Sequence, residues 1–265
     1  MNQWLNISCS GKFHYLYYAK YLSKDDLNKI YFSHKYSTTG ELPKNRRKNL
    51  FVKEYLVGGH LKFLGEKFII TGFYIYNKIW EAMLAYSIEP AKVNIFLLHG
   101  NCLKAMKKVK GHGLVVGEAV NSHPDAVWSR LKKEADLLGV EIKYPRHSNS
   151  GIKEELNLLD VLLCPSAAVA DSFVDEGFSK EKIVILPYGV DFGTKKHKNS
   201  CKKIKHLADI KNIVCVGQIS VRKGQIKLLD LIKNFCSKYN LILPNITFIG
   251  RGDPDYVALL RRHEV

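Results

Sequence analysis

The feature that most constrains the fold is a repeated alternation of short, β-rich apolar runs with longer segments of helical periodicity. This alternation is typical of an α/β protein whose parallel sheet is covered by helices. Sheets of this kind bind ligands beyond the carboxyl ends of their strands, so the loops that follow strands are the first place to look for function. Strands are predicted at residues 4–7, 29–32, 93–98, 113–116, 161–164, 183–186, 212–216 and 246–249.

Three helices are predicted from periodicity and from the residues at their ends. One ends before Gly139, which suits the left-handed position that closes many helices. A second is capped by Ser166 and closed by Gly177, and a third spans about residues 225–239. The inward faces are formed by Val127, Leu131, Ala135 and Leu138 in the first helix and by Ile226, Leu229, Ile232, Cys236 and Tyr239 in the third.

A change in composition indicates two domains. Residues 195–205 contain six lysines and no acidic residue, which is typical of a linker. We interpret the chain as two Rossmann-like domains with parallel sheets, at residues 1–192 and 212–265, joined by a basic linker at 193–211. The second segment accommodates two strands and one complete helix. Because a self-standing α/β domain has roughly 100 residues or more, we expect the second domain to be incomplete.

The net charge restricts the class of partner. Lysine and arginine number 41 against 25 acidic residues, and the resulting formal charge of +16 favours anionic partners. Nucleic acid, anionic lipid headgroups and nucleotide diphosphates all satisfy this condition. Residues 44–67 mix lysine and arginine with phenylalanine, tyrosine and leucine. That pattern fits an anionic membrane surface, and it fits a solvated loop and helix face equally well.

Three further observations bear on the compartment. The N-terminus lacks the basic start, apolar centre and cleavage site of a secretory signal, which predicts a cytoplasmic protein, peripheral at the inner face of a membrane if residues 44–67 contact lipid. The most apolar window, residues 68–88, is interrupted by Asn77, Lys78 and Glu81, so we do not expect it to span a bilayer. The six cysteines lack metal-binding or redox spacing, which predicts reduced, mostly buried thiols.

The segment NIVCVGQISVRKGQIKLLDLI contains the strongest physical signal for a ligand site. A buried strand ends at Gly217, a seven-residue loop carries Arg222 and Lys223, and Gly224 opens a helix. Free amides at the helix start, the positive end of its dipole and two cations would together bind an anion such as a diphosphate. Spacing alone also permits a solvated basic pair, so both interpretations stay open at this point.

Two other loops carry weaker signals. Gly11 and Lys12 follow the first predicted strand, where a glycine lets the backbone approach a ligand but is also an ordinary turn residue. His123 lies just past a strand end, and Pro124 keeps it out of helical geometry. A lone loop histidine is as a rule structural, so its spacing alone does not assign it a role.

The sequence GRGDPD, which begins at Gly250, resembles the start of a dinucleotide fingerprint. It lacks the third glycine and we predict no helix directly after it, which excludes NAD. Asp253 and Asp255 have the Asp-x-Asp form that can hold a nucleotide-bound cation, but a turn fits the intervening proline better. No metal is expected.

Several segments together resemble family 4 glycosyltransferases, the two-domain retaining enzymes of the GT-B fold. The resemblance covers most of the chain, and the end of the first domain is its most specific part. The segments are SGKFHYLYYAKYL, VNSHPDAVWSRLKKEADLLG, LLDVLLCPSAAVADSFVDEGFSKEKIVILPYGVD, VGQISVRKG and ITFIGRGDPDY.

The resemblance implies a role for each matching loop. Lys223 would contact the diphosphate of a nucleotide-sugar donor, with Arg222 nearby and the amide of Gly217 facing the same ligand. His123 would lie close to the transferred sugar and stabilise the front-face departure and attack that retention requires. Fixed cations and amides suit this chemistry because the leaving diphosphate gains negative charge. On the acceptor side, the resemblance implies a loop made of Gly11 and Lys12.

The implied activity is hexosyl transfer from a nucleotide-diphosphate sugar to a glycan or lipid-linked acceptor, without a cofactor or a specific nucleic acid. The family commonly has arginine directly after the strand glycine, where this chain has Gln218. Its Glu-x7-Glu segment, which holds the sugar and ribose, does not occur before Val265. We therefore expect the chain to be inactive alone. The alternatives are a non-catalytic basic module that binds anionic membrane or nucleic acid, and a fragment completed by another chain.

Overall fold

The computed structural model describes residues 3–11, 21, 28–33, 44–65, 68–142, 146–189, 206 and 209–263. The chain forms two compact units, Met1–Val127 with Tyr144–Gly189 and Trp128–Lys143 with Val190–Val265. Residues 128–143, which the sequence placed in the first domain, therefore belong to the second unit. Most of the predicted linker at 193–211 lies outside the described residues, so the predicted boundaries at 192 and 211 stay predictions.

The first unit is built on a parallel sheet of seven strands in the order β3-β2-β1-β4-β5-β6-β7. The order reverses between β1 and β4, and sheets of this kind bind ligands beyond the strand ends at such a reversal. The strands are β1 (Leu5–Cys9), β2 (Asn28–Phe32), β3 (Arg47–Asn49), β4 (Val93–Leu97), β5 (Leu114–Glu118), β6 (Val161–Cys164) and β7 (Ile183–Ile185).

The described helices of this region begin with a pair that pack against each other, α1 (Val52–Leu64) and α2 (Ile69–Ser87). Four more follow along the chain: α3 (Leu103–Val109), α4 (Pro124–Leu138), α5 (Arg146–Leu158) and α6 (Ala167–Val174). Helix α4 is shared, because its residues from Trp128 onward belong to the second unit. Helix α4 ends before Gly139, which has a φ of 65°, and Ser166 caps α6 by accepting a hydrogen bond from the amide of Val169 at 3.4 Å. Both predicted boundaries are confirmed.

The main core of the first unit lies between the sheet and helices α2, α3, α5 and α6. Trp80 and Leu84 of α2 are fully buried and pack in one cluster with Phe96 of β4 and Met106 of α3. Among the described cysteines, Cys9, Cys102, Cys164 and Cys236 are buried, as predicted, and none of those described is in a disulfide, while Cys201 lies outside the described residues. In the described part of the chain, no helix is both long and apolar enough to cross a bilayer.

The second unit contains a two-stranded parallel sheet, β8 (Asn212–Val216) and β9 (Asn245–Ile249). Helices α7 (Gln225–Lys238) and α8 (Pro254–His263) follow these strands, and Ile226, Leu229, Tyr256 and Leu260 form its core with Ala135 of α4.

Three expectations from the sequence need adjustment. A helix does follow GRGDPD directly, because Pro254 occupies the first turn of α8, where a missing amide hydrogen costs nothing. Strand β3 was not predicted, and Tyr239, predicted to face inward, is 55% exposed. The eight predicted strands otherwise agree with the structure to within two residues at each end.

Candidate functional site

The loop after β8 has the strand-to-helix geometry that the sequence indicated. Gly217 follows the strand with a φ of 148°, a single 3-10 turn covers Val221–Lys223, and Gly224, with a φ of 67°, leads into α7. Arg222 and Lys223 are exposed on this turn. Two cations therefore lie at the carboxyl end of a parallel strand, where anionic ligands bind in folds of this type.

A glutamine that the sequence did not single out holds this loop in place. Gln225 is 1% exposed, and its side-chain amide donates to the carbonyl oxygen of Gln218 at 2.9 Å. Its side-chain oxygen accepts from the amide of Ser220 at 3.3 Å. One side chain at the start of α7 thus links the helix to the part of the loop that precedes the 3-10 turn.

The loop after β9 forms backbone hydrogen bonds with the loop after β8. The amide of Ile219 donates to the carbonyl oxygen of Arg251 at 2.9 Å, and the amide of Asp253 donates to the carbonyl oxygen of Ile219 at 3.0 Å. A Cβ atom on Gly250 would lie 1.9 Å from the carbonyl oxygen of Gly217. Only glycine permits this approach of two backbones, so the structure explains why position 250 is a glycine without a bound dinucleotide.

Two of the amides that the sequence assigned to a ligand are already used. The amide of Gly217 donates to the carbonyl oxygen of Ile249 at 2.9 Å, because the sheet ladder extends one residue past β8. At the start of α7, the amide of Ile226 donates to the hydroxyl of Tyr256 at 3.1 Å. These are corrections: Gly217 contributes a turn conformation, and Tyr256 occupies part of the helix start that was expected to be free.

The hydroxyl of Ser220 is a candidate ligand group that sequence reasoning missed. Its Oγ is buried and has no hydrogen-bond partner among the described residues, although it lies directly before the turn that carries Arg222 and Lys223. A buried hydroxyl without a partner is rare, because burial without a hydrogen bond costs roughly 1–3 kcal/mol. The signal in the sequence was a serine between the glycine that ends a strand and the glycine that opens a helix, which is too common to stand out.

His123 lies in the first unit, between the end of β5 and the first residue of α4. It is 4% exposed, its ring contacts Phe173 edge to face at 5.3 Å, and its amide donates to Ser172 Oγ at 2.9 Å. Its carbonyl oxygen accepts from the amide of Val127 at 2.9 Å. Both backbone groups are therefore fixed, and Phe173 restricts the ring.

The contacts of His123 also define its protonation. Burial lowers the pKa of His123, an effect that Glu176 and Asp125 oppose and Lys153 assists. Its Nδ1 accepts from the amide of Asp125 at 3.3 Å. A neutral imidazole that accepts at Nδ1 carries its proton on Nε2, so the ring offers one hydrogen-bond donor to a ligand. This arrangement permits the role assigned from the resemblance, and it also makes His123 a helix cap.

Three described side chains of the first unit could together offer ligands to a cation: His123, Asp125 and Glu176, with ligand atoms within 4.8 Å of one another. Two of them are already engaged, since Asp125 forms an ion pair with Lys153 at 2.8 Å and His123 Nδ1 accepts a backbone hydrogen bond. The expectation that no metal is needed stays a prediction. In the second unit, Asp253 Oδ1 accepts from the amides of Asp255 and Tyr256, which makes it a cap of α8.

The acceptor-side loop is described only in part. Gly11 has a φ of 131°, which favours glycine, and Ser10 before it is buried. Lys12 lies outside the described residues. A different lysine, Lys53 of α1, reaches this loop and donates to Ser10 Oγ at 2.6 Å. The sequence placed Lys53 in a basic surface stretch, so its burial was not anticipated.

Comparison with known proteins identifies the fold. No protein-family model and no curated protein matches the chain. An α,α-trehalose-phosphate synthase (UDP-forming) from Burkholderia vietnamiensis has a similar structure, with a TM-score of 0.52 and 12% identity over 100% of this chain and 68% of that one. The lipopolysaccharide outer core galactosyltransferase WaaB matches with a TM-score of 0.46 and 14% identity, over 99% and 65% of the two chains.

A UDP-N-acetylglucosamine 2-epimerase matches with a TM-score of 0.44 and 9% identity, over 100% of this chain and 66% of that one. The chain spans about two thirds of the length of these structures. At such low identity the similarity to the synthase concerns the fold alone. The chain has the α/β, GT-B-like fold that the sequence predicted.

Proposed function

We propose that this chain belongs to a retaining glycosyltransferase of family 4 that takes its sugar from a nucleotide-diphosphate donor. The observation that carries the proposal is the loop after β8, where Arg222, Lys223 and the buried hydroxyl of Ser220 lie together on a turn braced by Gln225. Cations and hydroxyl donors at a strand end are the groups that bind a diphosphate. The GT-B-like fold supports the proposal. The proposal also includes the acceptor of the transferred sugar, which is a glycan or a lipid-linked molecule.

In this proposal Lys223 neutralises the charge that develops on the leaving diphosphate, and Arg222 replaces the contact that the family obtains from the position of Gln218. Fixed cations stabilise such a transition state without reorganising when the bond breaks. His123 donates from Nε2 to the sugar, and because the ring is neutral it leaves the positive charge that develops on the transferred sugar undisturbed. No metal and no cofactor take part.

Calorimetric titration with UDP, GDP and ADP tests the donor site. UDP is tested first because the similar synthase is named as UDP-forming. We expect Lys223→Ala to weaken nucleotide binding at least tenfold, or about 1.4 kcal/mol. Lys211→Ala is the matched control, since Lys211 is exposed and lies before β8, at the opposite end of the strand. Binding that is equal in both variants, or absent for all three nucleotides, would remove the basis of the proposal.

A peripheral position on an anionic membrane is the second part of the proposal. The end of α1 and the residue before α2 expose three large apolar side chains: Phe63 is 80% exposed, Phe68 is 77% exposed and Leu64 is 53% exposed. Lys62 Nζ lies 5.6 Å from the ring centre of Phe63. Exposed aromatic residues beside basic ones insert at the level of lipid headgroups, and the formal charge of +16 favours anionic lipid.

Vesicle sedimentation tests this contact. Phe63→Glu with Phe68→Glu should abolish binding to phosphatidylglycerol vesicles, because two carboxylates would enter the headgroup layer. Tyr86→Glu should not, although Tyr86 is 91% exposed, since it lies at the other end of α2. Equal binding of both variants would contradict the contact. Binding to RNA, with no response to vesicles or nucleotides, would favour the non-catalytic alternative.

A further inference from the structure

A buried lysine lies at the carboxyl end of the central strands of the first sheet. Lys53 is the second residue of α1, is 8% exposed, and donates from Nζ to Ser10 Oγ at 2.6 Å. Ser10 directly follows β1 and is 6% exposed. Strand β1 borders the reversal in strand order, so this lysine occupies the place where α/β sheets bind ligands.

The charge of Lys53 is not balanced by the described residues. None of their carboxylates lies within ion-pair distance of Lys53 Nζ, and Ser10 Oγ is its one hydrogen-bond acceptor among them. The neighbouring Glu54 accepts from Ser33 Oγ at 2.7 Å instead. Burial lowers the pKa of Lys53, and Glu54, Cys102 and Cys9 oppose that effect. A buried ammonium group with two unused donors is costly unless a ligand completes its coordination.

Several donors converge at this point. Ser10 Oγ accepts from Lys53 and so keeps its own proton to donate, which adds a third donor to the two on Lys53 Nζ. Burial lowers the pKa of His99, on the loop after β4, to about 4, and the charge of the nearby Lys53 adds to this effect. That histidine is therefore neutral near pH 7. Gly11, the residue after Ser10, has a positive φ and, as a glycine, no Cβ atom.

We propose that Lys53 and Ser10 bind an oxyanion, a phosphate or a carboxylate, carried by the acceptor substrate of this protein. The identification of the ligand as the acceptor rests on the proposed function, whereas the anion site itself does not. An oxyanion site at this position assigns the acceptor to the class of sugar phosphates, lipid phosphates or acidic glycans. The site lies in the first unit, and the proposed donor diphosphate site lies in the second.

Inorganic phosphate and acetate at matched ionic strength, with sodium chloride as the reference salt, are the probes for this site. Hydrogen exchange of the full chain is followed in peptides that contain residues 5–11 and 50–64. We expect phosphate to slow exchange there in the wild-type chain at millimolar concentrations, and Lys53→Met to raise the required concentration at least tenfold. Lys62→Met, an exposed lysine of the same helix, is the matched control. Protection by acetate instead of phosphate identifies the ligand as a carboxylate.

Ser10→Ala provides a second variant that keeps Lys53 in place, and it should weaken phosphate protection by a smaller factor. Protection that is the same in Lys53→Met, Ser10→Ala and wild type, or that sodium chloride reproduces, would overturn the proposal. The same experiment in Lys223→Ala tests the anion site independently of the proposed function. Phosphate should still protect residues 5–11 in that variant, while UDP binding is lost. Loss of UDP binding in Lys53→Met with normal phosphate protection would also count against the site.

Discussion

The two sheets of this protein differ in how they are covered. In the first unit, all five residues of β1 and four of the five in β2 are buried, so this sheet has protein on both faces. In the second unit, β8 and β9 alternate between exposed and half-buried residues, and Val214, Val216 and Ile249 are more than half exposed. Comparable apolar strands thus contribute very differently to the two units, because stability depends on the area removed from water.

Core truncations should give the largest difference between the two sheets. Phe96→Ala removes a fully buried ring from β4 and should cost the first unit about 3–5 kcal/mol, whereas Ile249→Ala, at a position 51% exposed, should cost the second unit less than about 1 kcal/mol. Urea unfolding can be followed through Trp80 after Trp4→Phe and Trp128→Phe, because the chain has three tryptophans. Hydrogen exchange of residues 212–249 reports on the second unit.

A buried carboxyl group should make the stability of the first unit depend on pH, which distinguishes this unit from the second. Glu155 is fully buried and accepts from the amides of Gly100 at 3.0 Å and Cys102 at 2.6 Å. Burial raises the pKa of Glu155 to about 7, although these amides lower it. The folded state therefore holds the proton more tightly than the unfolded state, whose carboxyl has an ordinary pKa of 4.5. The corresponding stability is complete at acidic pH and is lost as pH rises through about 7.

The expected loss for the first unit is on the order of 2–3 kcal/mol between pH 4.5 and pH 8. Glu155→Gln cannot ionise and should remove this dependence, while Glu154→Gln, an exposed neighbour on α5, should keep it. Urea midpoints from Trp80 fluorescence across that pH range provide the measurement. An unchanged pH profile in Glu155→Gln would mean that another group of the first unit titrates.

The fold could be predicted from the sequence because it depends on local patterns. Apolar strands and capped helices leave signals within a few residues, as at Ser166 and Gly139. Strand β3 leaves no such signal. It consists of Arg47, Lys48 and Asn49, and it is a strand only because the edge of β2 supplies hydrogen-bond partners.

The candidate sites depend on contacts distant in sequence, so they could be predicted only in part. Strand-end glycines and paired cations located the loop after β8, but they could not reveal that Tyr256 and Ile249 use two of its amides. Glu81 interrupts an apolar window, which argued against a membrane span. The sequence could not show its partner, which is the amide of Lys104 at the start of α3. Lys53 and Arg46 belong to the same basic stretch, and the sequence gave no sign that these two side chains are buried, at 8% and 3% exposed.

Removing a helix cap should give the smallest difference in stability loss between the two units. Asp253 accepts two amides of α8 at 3.2 and 3.3 Å and places a negative charge at the helix start, whereas Ser166 accepts one amide of α6 at 3.4 Å. Asp253→Ala should therefore cost the second unit about 1–1.5 kcal/mol and Ser166→Ala the first unit about 0.5 kcal/mol. Asp253→Asn keeps the cap and should lose only the contribution of the charge. Hydrogen exchange at residues 254–263 measures this, and an equal loss in Asp253→Asn and Asp253→Ala would show that the carboxylate acts through its charge, as a cation ligand would.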